Sequence, residues 1–267
     1  MRRRAEQGFA LLIVLWTLAL LSFLVAQMLA AAHSEAEIAA NLRSKIVLEE
    51  AADGALYATI FHLLDRSDAH WEPDGAPHAL AAPGAEVSVR ITDEANKVNL
   101  NTASLDLLRA LLLGVGADTT TADRLAPAIV EWRADEPDAA AAARASRYRA
   151  AGLAYAPPGQ PFRSIDELAL VLGATPDLLA RLRPHLTLYS TYGPGRASTD
   201  PVAAAAIMLL RIKGGVLPYE ANPGNQRVVR VVATASSAAG AVFTRGAVLR
   251  LDPASKERPY AILEWDE

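Results

Sequence analysis

Residues 8–32 read GFALLIVLWTLALLSFLVAQMLAAA, and no charge occurs between Phe9 and Ala32. At about 1.5 Å of rise per helical residue the run spans about 36 Å, enough for a bilayer core of about 30 Å. Arg2, Arg3 and Arg4 precede it, and His33, Glu35 and Glu37 follow it. This asymmetry predicts a single pass, with the N-terminus in the cytoplasm and everything beyond residue 33 on the far side of the membrane. The rest of the chain must therefore be understood as what this segment carries.

Three readings fit the segment. A cleaved secretory signal has a basic start, an apolar run and small residues such as Leu29-Ala30-Ala31-Ala32, but its apolar region is usually only about 7–15 residues long. A plain signal anchor needs just the hydrophobicity and the arginines. The third reading rests on position: the basic leader is short, ends at Gly8, and abuts Phe9-Ala10-Leu11-Leu12 at the opening of the apolar run. That arrangement resembles the type IV pilin-like (prepilin) class. The resemblance implies cleavage after Gly8, methylation of the new N-terminal Phe9 and retention of the helix. The class usually carries a glutamate at the fifth mature position, where this chain has Ile13. A carboxylate in hydrocarbon is costly without a neutralising partner. In such fibres that partner is the terminal amine of the subunit assembled before, so an apolar Ile13 suits a subunit that goes first. Equally, Ile13 fits an anchor that is no pilin at all.

Beyond the span, apolar residues at Ile38, Leu42, Ile46, Leu56, Ile60 and Leu63 alternate with charged ones, predicting that the helix continues to Leu64 with one buried stripe. Asp65–Gly84 holds three prolines and two glycines and reads as a loop. Glu86–Thr92, EVSVRIT, reads as a strand. Residues 93–189 read as a helical region with a twofold echo: Ser104-Leu105-Asp106-Leu107-Leu108 before one Leu-rich turn, Ser164-Ile165-Asp166-Glu167-Leu168 before another. Second helices are expected near Thr119–Arg133 and Pro176–Arg183. Ser164 and Glu167 have capping-box spacing, and Thr175-Pro176 reads as N-cap then first helical residue. Residues 190–225 are rich in Gly, Pro and Ser around a short apolar helix at Val202–Ile212. Gln226–Ala235, Ala241–Leu251 and Pro259–Trp265 then read as a meander of three strands. The expected class is α+β: a long N-terminal helix on an antiparallel sheet, with an all-helical domain inserted at 93–189 and the sheet resumed over 190–267.

The totals exclude much. Of 267 residues 52% are hydrophobic, against a mainly disordered chain, and 26 Lys/Arg face 30 Asp/Glu, a net charge of −4. With no cysteine, disulfides, thiolate nucleophiles and iron–sulfur clusters are ruled out. Hydrolase, P-loop and dinucleotide signatures are missing, and the five histidines make no pair at metal-ligand spacing, so no catalysis is expected. The Asn99-Leu100-Asn101-Thr102-Ala103 run and the Gly114-Val115-Gly116 turn resemble helix-hairpin-helix modules, whose turn amides hold a DNA phosphate. That leaves a membrane-anchored DNA-uptake protein as an alternative. Yet residues 93–189 carry 10 Lys/Arg against 12 Asp/Glu, a net of −2, so no nucleic-acid partner is expected. Asp135, Glu136 and Asp138 cluster in an acidic stretch where Asp135 and Asp138 could contribute to a calcium site; a solvated acidic loop is the plainer reading.

Taken in order, Gly8-Phe9-Ala10-Leu11-Leu12, Ile13, the run Asp93-Glu94…Lys97-Val98-Asn99-Leu100-Asn101-Thr102-Ala103, Trp132-Arg133 before acidic residues, Pro161-Phe162…Ser164-Ile165-Asp166-Glu167-Leu168 and the C-terminal strands resemble the general secretion pathway protein K family. One departure stands out: where family members often have a second Asn-Thr-Ala-type run, this chain has Ser198-Thr199-Asp200-Pro201. The resemblance implies a pilin-like fold with an inserted helical domain, and a minor pseudopilin of type II secretion. It implies no reaction, but a place at the tip of a short periplasmic fibre, which the subunit helps to start. Implied partners are the other minor pseudopilins, the major pseudopilin, the prepilin peptidase, the inner membrane and exported substrates. Some members bind calcium.

Overall fold

The computed structural model describes residues 3–135, 138–190, 193–195, 198–215, 226–255 and 257–266; the side chains of 3–11, 30–34, 36 and 138 lie outside that description. One helix, α1 (Arg3–Leu64), runs from the apolar segment into the folded body. Its first part, Leu12–Leu29, is apolar enough to cross a membrane and is wholly exposed. Its last five turns bury Leu48, Ala52, Leu56, Ile60 and Leu63. The helix therefore changes solvent along its length without a break.

That buried stripe lies on a sheet built from β1 (Asp74–Ala82), β2 (Ala85–Asp93), β5 (Arg227–Ser236), β6 (Val242–Leu251) and β7 (Tyr260–Trp265), in this spatial order and antiparallel throughout. Alternation does the sorting: β2 buries Val87, Val89 and Ile91, and β5 buries Val229, Val231, Ala233 and Ala235, all toward α1. Opposite Val87 and Val89 the register places Ala235 and Ala233. Small residues there, together with Ala51, Ala52 and Ala55 on α1, let the helix sit close to the strands. A buried arginine fixes its position: Arg245 on β6 donates to Glu49 at 2.6 Å and Asp53 at 2.7 Å, one turn apart on α1, and to the Asp266 carbonyl at 3.0 Å.

The three C-terminal strands fall within a residue or so of the expected meander, and β2 matches the expected early strand. The segment 65–84 is a correction. Residues 74–82 form a strand, paired to β2 from Asp74↔Thr92 to Ala82↔Ala85. Its sequence, DGAPHALAA, has no β-branched residue, and Pro77 speaks against a strand unless the strand is an edge. It is one. A turn at Pro83-Gly84, with Gly84 at φ +78°, closes the hairpin in the conformation that favours glycine.

Between β2 and β5 sits a second core, contributed by α2 (Leu105–Gly114), α3 (Thr119–Arg133), α4 (Asp138–Ala150), a 3-10 turn at Ile165–Leu170, α5 (Pro176–Leu182) and α6 (Pro201–Ile212). The caps explain the helix starts. Ser104, Asp118 and Thr175 each accept from a first-turn amide, and Asp200 accepts from two. At the second half of the echo the helix is a tight 3-10 turn, with Ser164 capping Asp166 and Glu167 reaching back to the Arg163 amide. Although α6 follows residue 189, it packs into this helical core through Ala203, Ala206, Ile207 and Leu210. Its small-residue face admits α2 so closely that a Cβ on Gly114 would sit 3.2 Å from Val202.

Candidate functional site

The run from Asp93 to Ala103 builds the neck joining the two cores. Asp93 ends β2 and caps a short 3-10 turn by accepting from the Ala95 amide at 2.8 Å. Glu94, next in sequence, is driven inward, its side chain 1% exposed. Lys97 Nζ donates to Glu94 Oε1 at 2.5 Å, and Arg230 Nε lies 3.4 Å from the same oxygen; Oε2 is buried and unpaired. From β5, Arg230 reaches on to Glu264 at 2.7 Å and Asp266 at 3.5 Å beside β7. Burial alone would lower the pKa of this guanidinium; the surrounding Glu94, Glu264 and Asp266 carboxylates outweigh it and leave the value raised. Arg230 thus ties the first residue of the inserted unit to the last strand of the sheet.

Beyond Glu94 the outgoing and returning strands of the neck pair in parallel. β3 (Val98–Asn99) lies beside β4 (Leu186–Thr187), and the Leu100 amide donates to the Thr187 carbonyl at 2.9 Å. Asparagine side chains complete the seam because each offers a donor and an acceptor. Asn99 donates to the Ser190 carbonyl and accepts from the Asn101 amide at 2.7 Å. Asn101 both donates to the Phe162 carbonyl at 2.9 Å and accepts from its amide at 2.7 Å. On the return path Ser198 donates to the Asn96 carbonyl at 2.7 Å, and the Thr199 amide donates to Asn96 Oδ1 at 3.1 Å. So Ser198-Thr199-Asp200-Pro201, the departure in sequence, serves as both a neck contact and the start of α6.

Arg133 at the end of α3 points into this loop and donates to the carbonyls of Leu100 and Ala103. Its neighbour Trp132 is buried against Phe162, rings stacked at 6.0 Å, with Tyr148 and Tyr155 around it. Arg144 on α4 then donates to the carbonyls of Glu131 at 2.5 Å and Ala134 at 3.1 Å, finishing α3. These residues form a scaffold: polar side chains spent on backbone groups, with no converging pair of acid and base.

The Gly114-Val115-Gly116 turn offers little to a phosphate. The amides of Val115, Gly116 and Ala117 already donate to the Leu111, Leu113 and Leu112 carbonyls, closing α2. The next helix start is occupied by the Asp118 carboxylate, whose pKa is lowered by hydrogen bonds from Thr121.

A family model for type II secretion system protein K matches residues 87–191, from β2 through the neck and its return. That stretch, 105 of the 267 residues, is similar to protein K of the type II secretion system. The structure is similar to a chain from the crystal structure of the GspK-GspI-GspJ complex of the enterotoxigenic Escherichia coli type 2 secretion system, with a TM-score of 0.56 at 17% identity. That alignment covers 88% of this chain and 99% of the other, and shows a shared fold. No curated protein sequence matches the chain. The neck residues Asp93–Ala103 and Leu186–Ser190 lie within the stretch that the family match covers.

The remaining expected site residues fall apart from the neck. Gly8 and Phe9 lie within α1, with side chains outside the described residues. Ile13 is near the start of the apolar span, 47% exposed. Asp135 is exposed just after α3, while Glu136 and the Asp138 side chain lie outside the described residues. Among the described residues no group of three or more His, Asp or Glu could hold a metal ion. Sequence reasoning missed Arg230 and Arg245. Arg245 is an inward charge on the face toward α1, visible in sequence only as a break of alternation; Arg230 lies on the other face of β5, where alternation is kept, and its partners are far along the chain.

Proposed function

We propose that this chain is a minor pseudopilin that sits at the tip of the type II secretion pseudopilus, starts fibre assembly and supports export of folded proteins across the outer membrane. The observation that supports this most is the unbroken α1, apolar and exposed over Leu12–Leu29 and then packed on a sheet that a helical unit interrupts. In this reading the N-terminus is cytoplasmic, the span sits in the inner membrane and the two cores are periplasmic. The partners are other minor pseudopilins, as in the complex of the similar structure, followed by the major pseudopilin. The helical unit, projecting from the sheet, caps the fibre. Asp135 and Asp138 remain candidates for a calcium ion held at the edge of that unit.

Processing by the prepilin peptidase should cleave between Gly8 and Phe9, leaving 259 of the 267 residues. Mass spectrometry should find mature chains starting at methylated Phe9; a start at His33 would instead identify a secretory signal and remove the pilin reading.

The tip assignment is tested at Ile13. A subunit that goes first meets no earlier amine, so Ile13→Glu places an unpaired acid among apolar neighbours, at a cost of about 2–3 kcal/mol on membrane-insertion scales. Tip-complex formation should fall by roughly 30–150-fold, at about 1.4 kcal/mol per tenfold. Ile13→Leu should be nearly silent. Equal secretion and equal recovery of partner pseudopilins with the two variants would show that Ile13 is not matched to a first-subunit role.

A further inference from the structure

The helical unit carries a pocket of about 360 Å³ where α3 and α4 meet the residues that follow the 3-10 turn. Leu125, Pro127, Ala128 and Leu172 give it apolar walls. Its carboxylates are already engaged: Asp123 pairs with Arg109, and Glu131 pairs with Arg147 at 2.7 Å. The Thr121 hydroxyl is engaged too, donating to Asp118 at 2.7 Å. What remains along the pocket is a set of donors. Arg124 is exposed and has no partner among the described residues. Tyr148 is 4% exposed; its hydroxyl accepts from the Leu172 amide at 3.0 Å, while its own proton goes to no acceptor among the described residues. Burial pushes the pKa of that phenol up, so it stays a donor at neutral pH. The backbone adds an acceptor. Pro127 sits inside α3 without an N–H, so the Asp123 carbonyl lacks the donor that a helix supplies four residues on.

We propose that this pocket binds the C-terminal residue of a polypeptide, with its carboxylate against Arg124 and the Tyr148 hydroxyl, its amide N–H toward the Asp123 carbonyl and an apolar side chain between Leu125 and Leu172. The proposal stands apart from the pseudopilin reading above. Charge selects the carboxylate: with both ion pairs closed, Arg124 leaves the rim one uncompensated positive charge, which favours an anion over an amine. Charge-assisted hydrogen bonds from a guanidinium are the stronger kind. Size selects a single residue, since the volume is at the small end of the range of about 300–1,000 Å³ that ligand pockets occupy. The backbone acceptor selects a peptide. A simple aliphatic acid would satisfy the donors and leave the Asp123 carbonyl without a partner, whereas a chain terminus brings a carboxylate and an N–H on the same residue. Capture of a terminal carboxylate by converging donors is a known mode of peptide recognition.

Titration of the full-length chain in detergent micelles, followed by NMR of the added compound, provides the test. The probes are N-acetyl-alanyl-leucine, its C-terminal amide and 4-methylpentanoate. The dipeptide acid should bind at least tenfold more tightly than the amide, which keeps the shape and loses the charge. Arg124→Gln should weaken the acid at least tenfold and leave the amide unchanged. Because Arg124 has no partner among the described residues, this variant should keep the thermal midpoint of the unmodified chain. Ala128→Phe fills the pocket and should remove binding of both dipeptides; if it folds poorly, Arg124→Gln still decides. Absence of binding to the unmodified chain, equal affinity for acid and amide, or undiminished affinity in Arg124→Gln overturns the proposal. Binding of 4-methylpentanoate as tight as that of the dipeptide acid would show that the pocket reads a carboxylate alone, and would overturn the assignment to a polypeptide terminus.

Discussion

Arg230→Ala should destabilise the chain by about 3–5 kcal/mol, the range found when one partner is removed from a buried ion pair. The reason lies in Glu94, whose carboxylate is almost fully enclosed and, among the described residues, is paired with the cations Lys97 and Arg230. With Arg230 gone, one ammonium must offset a buried charge that already has one unpaired oxygen. Glu264 and Asp266 would lose their inward partner as well, freeing the end of β7. For a protein of this size the loss corresponds to roughly 10 °C in thermal midpoint. Arg230→Ala combined with Glu94→Gln should recover part of it, because the neutral amide no longer demands a counter-charge. Thermal unfolding of the four proteins in the double-mutant cycle measures the coupling. Strictly additive effects would show that Glu94 does not depend on Arg230.

The second large effect is at Arg133. Its guanidinium donates to two carbonyls of the Asn-Leu-Asn-Thr-Ala loop at once. Hydrogen bonds from a charged donor contribute about 1.5–3 kcal/mol each, so Arg133→Ala should cost about 3 kcal/mol or more. Lysine should not restore the loss, since a single ammonium on a flexible stem cannot span both carbonyls as a planar fork does. Urea unfolding of the alanine and lysine variants decides this, and wild-type stability in Arg133→Lys would mean that charge alone, and not the fork, holds the loop.

Much of this architecture can be read from residue order because the physics is local. The apolar run of α1, the alternation of β2 and β5–β7, and the caps at Ser104, Thr175 and Asp200 are each signalled within a few positions. What escaped reading depends on distant partners. β1 is a strand because β2 offers it hydrogen bonds, with no help from its own proline- and alanine-rich sequence. α6 reads as an isolated apolar helix, and only its fit against α2 assigns it to the helical core. The acidic pair Asp135 and Asp138 was visible as composition, whereas the neck's polar seam was visible only as a motif. That Asn99, Asn101 and Arg133 spend their side chains on backbone groups follows from which loop returns beside them.

The register of β2 against β5 places Asp93 directly opposite Val229. Stripped of everything from 94 to 228, the five strands would follow one another as a plain up-and-down ribbon, and each turn between neighbours would be short. The inserted unit therefore turns one local pairing into a remote one, and remote pairings are slow to find. Loop-closure entropy rises only with the logarithm of length, but it must be met before β2 and β5 gain anything. The parallel clasp of β3 with β4 changes the order of events. Once the helices have condensed, α6 included, four residues (94–97) join β2 to β3 and 14 (213–226) join α6 to β5, in place of the 133 residues that separate Asp93 from Arg227 along the chain. The later-made half of the sheet is then delivered to the earlier half by a body that has already folded. Such a chain would hold its aggregation-prone strand edges open for a shorter time than the sequence separation suggests.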